Sequence, residues 1–187
     1  MRVRPVEGGR LPAYADGIGR VYADAFSAPP WNEDPASGAR YAARLADDAA
    51  RPGFTAALAL DGDTVGGFAT AWTTPGTFPT GPGYDHVAEA LGAGRVTSWL
   101  CGALKVDELA VSPDARGGGL GAALLSAVTA PAPDGRCWLL TSVRATAALR
   151  LYGRAGWHQV PVTVPGRAGL TVLLGPAHPA VAGLTGP

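Results

Sequence analysis

A chain of 187 residues and 18.9 kDa suits one domain with a small appendage, and with 47% hydrophobic residues it can bury a sizeable core. Fifteen basic against fifteen acidic side chains give a formal charge of zero, which argues against a protein that grips nucleic-acid phosphates. The 27 glycines and 17 prolines are dispersed without a period, so the chain is loop-rich and globular, not collagen-like. Cys101 and Cys137 are too few for a disulfide framework. His86, His158 and His178 stand apart, so no metal site is expected. The N-terminal segment MRVRPVEGGRLPAY lacks the apolar stretch of a signal peptide. No apolar run reaches the ~20 residues of a membrane span, so the expectation is a cytoplasmic protein with no membrane partner.

Residues 2–6 suit a short edge strand. Leu11, Tyr14, Ile18, Val21, Tyr22 and Ala25 recur at three- and four-residue spacing and predict a helix over 11–26, although it contains Gly17 and Gly19. Ser27 to Pro35 breaks it, and a second helix is expected from Ala36 to Arg51, closed by Pro52-Gly53. Phe54–Leu60 and Thr64–Trp72 read as a hairpin around Asp61-Gly62-Asp63. A Gly/Pro-rich stretch, 73–83, and a short helix over 84–91 belong to an excursion over 73–94 that is too long for a simple connector and can serve as a lid through Phe78, Tyr84 and His86. A long strand is expected from Ser98 to Val111, then a glycine-led helix over 117–129, a strand over 136–143 and a helix over 146–155. A final hairpin, 157–164 with 168–174, turns at Pro165-Gly166, and residues 176–187 form an irregular tail. Strands interleaved with helices make the class α/β (α+β) with a mixed sheet.

The informative segment is Val106-Asp-Glu-Leu-Ala-Val-Ser-Pro-Asp-Ala-Arg-Gly-Gly-Gly-Leu-Gly-Ala122. A strand enters a glycine-rich turn that opens a helix, where the first amides have no partner within the helix and sit at its positive end. That pattern suits a phosphate or pyrophosphate. A P-loop is excluded by the missing Gly-Lys-Ser/Thr. A dinucleotide fingerprint is met only in its looser form, with Ala122 at the last position, and it belongs to the first strand-helix unit of a sheet.

Arg116-Gly-Gly-Gly119-Leu-Gly121 resembles the acetyl-CoA signature of the GCN5-related N-acetyltransferase (GNAT) superfamily. Leu149-Arg-Leu-Tyr152-Gly-Arg-Ala-Gly156-Trp157 resembles that family's second element, with Trp in place of Phe. The likeness is strong over 104–160 and extends to the order of elements elsewhere. It implies a GNAT fold: a mixed, mostly antiparallel sheet of six to seven strands flanked by about four helices, in a single domain over 1–175.

The same resemblance implies site roles. Arg116, Gly117, Gly118, Gly119, Leu120, Gly121 and Ala122 would wrap the pyrophosphate of acetyl-CoA. Leu109 and Val111 would pair with the pantetheine arm through main-chain groups. Tyr152 matches the family's general acid, with aromatic packing as its plain alternative. Asp107 shares the strand face of Leu109 and can take a proton from an incoming ammonium, the alternative being a solvated or ion-paired strand residue. Glu108 falls on the opposite face unless a bulge intervenes. Two positions depart from the pattern: Ala145 stands where the family often has Asn, and Gly118 where it often has a basic residue. Trp31 and Glu33, between the first two helices, can hold an amine by an aromatic face and a carboxylate, or Trp31 can simply pack.

The implied function is acetyl-CoA-dependent transfer to a primary amine of a small molecule or peptide, by direct attack. A non-catalytic acyl-CoA-binding or regulatory protein of the same fold is the alternative. No nucleic acid partner is expected, and a homodimer is compatible with the fold.

Overall fold

The computed structural model describes residues 1–162 and 169–184. They fall into two compact units, Met1–Trp72 with Val106–Ala130, and Thr73–Lys105 with Pro131–Pro187. Seven strands are present among the described residues, and their pairings are mostly antiparallel, as the sequence implied.

In the first unit, β1 (Arg2–Val6) pairs antiparallel with β2 (Thr55–Asp61), and β2 with β3 (Thr64–Thr73). The strand β4 (Leu104–Val111) follows β3 in the order, and Ser112 N–H donates to the Gly66 carbonyl at 2.9 Å. The helices α1 (Ala15–Phe26) and α2 (Ser37–Ala49) cover one face. Leu11, Ile18, Val21, Tyr22, Tyr41 and Leu45 join Leu58, Phe68 and Ala110 in one buried cluster. The expected helix over 11–26 is in fact a 3-10 turn over Gly8–Tyr14, which contains Pro12, followed by α1.

Gly19 persists inside α1 for a packing reason: a side chain there would lie 2.8 Å from the Gly38 carbonyl oxygen and 3.2 Å from Ala42 Cβ. The cost of glycine in a helix, about 1 kcal/mol against Ala, is offset by the close crossing of α1 and α2 that it permits.

In the second unit, β5 (Cys137–Ser142) pairs antiparallel with β7 (Leu170–Leu174), and β7 with the two-residue β6 (His158–Gln159). The turn of the expected terminal hairpin, Pro165-Gly166, lies outside the described residues. Helix α3 (Pro82–Leu91) sends Val87 and Leu91 into a second core with Leu100, Trp138, Val160 and Leu174. Phe78 and Tyr84 of the excursion pack into this core, their rings 5.5 Å apart and Phe78 6.1 Å from Trp138. Lys105, the chain's one lysine, is buried with its Nζ 5.6 Å from the Tyr84 ring centroid.

The long strand expected from Ser98 does not begin there. A short turn, α4 (Ala93–Arg95), runs into a π-helical turn over Val96–Leu100, and Gly102 at φ 73° separates it from β4. The carbonyls freed at this turn are met by side chains far away in sequence. Arg136 Nη2 donates to Ser98 O at 3.1 Å and Cys101 O at 2.7 Å, and His178 Nε2 bonds Trp99 O at 2.9 Å. A local reading of Trp99-Leu100-Cys101 has no access to those partners. In the tail, Pro179–Gly183 form a 3-10 turn where the sequence suggested irregular chain.

Candidate active site

The glycine turn is built as the sequence required. Gly117 and Gly119 have φ of 87° and 78°, the left-handed region that L side chains avoid. Gly119 is the N-cap of α5 (Leu120–Thr129), and its carbonyl accepts the first helical bond from Ala123 N–H at 3.1 Å. The amides of Leu120, Gly121 and Ala122 therefore precede the helical ladder. A Cβ placed on Gly117, Gly118 or Gly119 would meet no protein atom within 4 Å. No acidic residue stands in the first turn of α5. The positive end of a ten-residue helix thus faces open space with no carboxylate of its own, a geometry that fits an anion such as a pyrophosphate. The Arg116 side chain folds back, its Nε donating to Val111 O at 3.2 Å, and so ties the turn to the end of β4.

The strand β4 distributes its side chains to two faces. Ala110, with Glu108 on its side, belongs to the core of α1 and α2, whereas Val111 approaches Gly67 beside Leu124 of α5. Strict alternation along β4 would put Asp107 and Leu109 on the face of Val111, opposite Glu108.

What sequence reasoning missed is the polar cluster that Glu108 joins. Arg44 Nη2 lies 3.9 Å from Glu108 Oε1, while its Nε is 3.2 Å from Asp48 Oδ2 and its guanidinium carbon 4.9 Å from the Tyr41 ring centroid. Asp48 is held as well by Arg51 at 3.0 Å. Tyr41 stacks on Tyr22 with centroids 4.6 Å apart, and its hydroxyl is 3.1 Å from Thr70 Oγ1. Tyr22 donates its hydroxyl to both Glu33 oxygens, at 3.1 and 3.4 Å. Burial, reinforced by the charges of Glu108 and Glu33, pushes the Tyr22 phenol far above its ordinary range; burial and Glu108 do the same to Tyr41. Burial opposes the charge on Arg44, but the carboxylates of Asp48, Asp107 and Glu108 outweigh it and raise its pKa. The signal for this group was present in the spacing of Tyr41, Arg44 and Asp48, three and four residues apart on one helix face.

Glu33 and Trp31 sit where the sequence placed them, in the α1–α2 connection, and both are half-buried. Glu33 N–H donates to Phe26 O at 2.9 Å, and the Trp31 ring meets Phe26 edge-on at 5.9 Å.

In the second unit, α6 (Thr146–Arg154) follows β5, with the expected Ala145 as its N-cap. Gly156, at φ 77°, closes the helix, and Trp157 N–H returns to Tyr152 O at 3.0 Å. The Tyr152 and Trp157 rings are then 6.0 Å apart, and Tyr152 is buried. This closure explains why the motif needs glycine between the two aromatics.

Residues 82–159 match a family model described as an acetyltransferase (GNAT) domain. Over this segment, less than half of the chain, the sequence is similar to a GNAT acetyltransferase domain. Solved structures are similar in fold over almost the whole chain. Histone acetyltransferase HPA2 and related acetyltransferase from Corynebacterium glutamicum is 21% identical, with 94% of this chain and 95% of that one covered at a TM-score of 0.60. The paia N-acetyltransferase from Thermoplasma acidophilum, in complex with coenzyme A, is 11% identical over 94% and 99%, with a TM-score of 0.59. GphF, a GNAT-like decarboxylase in complex with isobutyryl-CoA, is 15% identical over 94% and 98%, with a TM-score of 0.60. At these identities the likeness is one of fold. Among the curated proteins the sequence has no match. No helix among the described residues is long and apolar enough to cross a membrane.

Proposed function

We propose that this GNAT protein is an acetyl-CoA-dependent N-acetyltransferase of the cytoplasm, with 1–175 as its working domain and a primary amine of a small molecule or peptide as acceptor. The observation that carries this reading is the turn at Gly117–Gly119: two left-handed glycines, open space above them and a carboxylate-free helix start.

The backbone amides of Arg116 to Ala122 hold the pyrophosphate, and the main chain at Leu109 and Val111 aligns the pantetheine arm. When bound, acetyl-CoA supplies an activated acetyl group. Asp107 takes a proton from the acceptor ammonium, directly or through water, leaving a neutral amine. The amine nitrogen bonds the acetyl carbonyl carbon, the carbon–sulfur bond breaks, and the sulfur leaves as thiolate. Tyr152, by its match to the family motif, gives a proton to that sulfur, and the proton that the nitrogen sheds as the amide forms restores the phenol through water. Trp31 and Glu33 orient the acceptor. A second reading, a GNAT-fold protein that binds acyl-CoA without transferring the acyl group to an amine, is favoured by the replacement of the family's Asn by Ala145 and by the decarboxylase among the structural neighbours.

Free thiol released from acetyl-CoA, measured across a panel of primary amines, separates the readings. Amine-dependent release with an N-acetyl product is the expected result. Binding of acetyl-CoA without release, or loss of carbon dioxide from a carboxyacyl-CoA with the thioester intact, contradicts it. In the active system Tyr152→Phe is expected to lower kcat about 100-fold and leave the acetyl-CoA Kd within a few-fold, because the ring still packs on Trp157.

A further inference from the structure

One cavity takes no part in the chemistry proposed above. It measures about 440 Å³ and is lined by Ser98, Trp99, Arg136, His178, Pro179 and Ala180. All six belong to the unit of Thr73–Lys105 and Pro131–Pro187. The volume falls within the ~300–1,000 Å³ of small-molecule sites.

Its walls are tied to one another. Arg136 Nη2 donates to Ser98 O at 3.1 Å and to Cys101 O at 2.7 Å, and His178 Nε2 donates to Trp99 O at 2.9 Å. His178 Nδ1 accepts from Ala180 N–H at 3.2 Å, and Val181 N–H donates to His178 O at 3.0 Å. The cavity is therefore preformed, and binding has little left to order.

The charge on those walls is single and unopposed. Arg136 is half-buried, and among the described residues no carboxylate lies within ion-pair distance of it. A guanidinium has five N–H donors, and the two carbonyls occupy Nη2 alone. Among the described residues, Nε and Nη1 donate to no protein acceptor. His178 adds no charge, because a ring nitrogen that accepts a hydrogen bond carries no proton. Burial, with the Arg136 charge beside it, keeps the His178 pKa below its ordinary 6.5. Holding two carbonyls needs only neutral donors, so a half-buried cation without a counter-charge is more than that task requires. The Trp99 indole, Pro179 and Ala180 supply apolar wall. Arg95, whose guanidinium carbon is 5.1 Å from the Trp99 ring centroid, does not line the cavity.

We propose that this cavity binds a small organic monoanion with a flat apolar body, an aromatic carboxylate, whose carboxylate meets the unused donors of Arg136 and whose ring lies along Trp99 and Pro179. One guanidinium matches one negative charge, which favours a carboxylate over a doubly charged phosphate. The site does not depend on the acetyl-transfer reading.

The probes are indole-3-acetate, its neutral isostere indole-3-acetamide and inorganic phosphate, titrated calorimetrically into the full chain with melts alongside. Indole-3-acetate is expected to bind with a Kd below about 1 mM, and the amide at least about tenfold more weakly. Arg136→Gln removes the charge and the carbonyl clamp together, so it can lower stability for that reason alone. Ser98→Glu is the decisive variant. Ser98 is exposed, its carbonyl stays available to Arg136, and its side chain gives up only a bond to Gly94 O. The introduced carboxylate pairs with Arg136 and repels an anion. Affinity for indole-3-acetate is then expected to fall more than about tenfold, with Tm within about 2 °C of wild type. Wild-type protein that does not bind the acid, or binds acid and amide equally, overturns the proposal. Ser98→Glu protein that binds the acid as wild type does would put the acid elsewhere and overturn it too. Phosphate binding as tight as that of the acid would overturn the assignment of a flat apolar ligand.

Discussion

Where α1 crosses α2, a side chain on Gly38 would run into the backbone carbonyl of Gly19 and come within 3.0 Å of Ala23 Cβ. Where β4 turns into α5, a side chain on any of Gly117, Gly118 or Gly119 would meet nothing within 4 Å. The backbone at the crossing is ordinary helix; at the turn, two of the three glycines are left-handed. The same residue type thus answers two different demands. At the crossing, glycine lets two backbones approach. At the turn, it lets the chain reverse while leaving space that the protein itself does not fill. We assign stability to the first region and propose ligand binding for the second.

The largest effect is expected at the crossing. Gly38→Ala forces a methyl group against a main-chain oxygen that cannot swing away. A loss of about 3 kcal/mol follows, at the upper end of overpacking costs. In a chain of this length that is a fall of about 6–12 °C in Tm. A thermal melt within about 2 °C of wild type would mean that the helices can separate at little cost, and the contrast would lose its first half.

A smaller effect is expected at His178, which ties the tail to the π-helical turn. His178 Nδ1 accepts from Ala180 N–H at 3.2 Å while Nε2–H donates to Trp99 O at 2.9 Å, so the ring serves only when neutral. Burial lowers its pKa, the Trp99 carbonyl raises it, and Arg136 lowers it; the net direction is down from 6.5. A base with a depressed folded pKa binds its proton more readily when unfolded. Its stabilisation is therefore complete above about pH 6.5 and is lost as pH falls through the folded pKa. Wild-type Tm is expected to drop faster than that of His178→Gln over this acidic range. Parallel pH curves for the two proteins would remove His178 from the account.

Much of this was legible in the sequence because local chemistry dictates it. The turn at 116–122 announces its backbone through glycine alone, and Gly156 announces the closure that brings Trp157 back to Tyr152. The hairpin at Asp61-Gly62-Asp63 is equally local. The segment at 96–103 was misread because its helical carbonyls are satisfied by Arg136 and His178, side chains 35 to 79 positions away. Gly19 looked like a weakness in a helix because its reason, Gly38, sits on another one. The loop proposed for the acceptor was half legible. Trp31 and Glu33 stand in a segment that invites attention, but the tyrosine whose hydroxyl bonds Glu33 looked like one more apolar position of α1.

The central claim is that the open space at the glycine turn belongs to the pyrophosphate of acetyl-CoA. Gly118 tests it most directly. Its backbone is not left-handed and its Cβ would touch nothing, so Gly118→Asp adds a negative charge without strain or clash. Calorimetric titration of acetyl-CoA into wild type and Gly118→Asp, with melts run alongside, separates binding from folding. The account predicts an unchanged Tm and an affinity reduced more than about tenfold, a loss above about 1.4 kcal/mol. Equal affinity in the two proteins, with both fully folded, would contradict it.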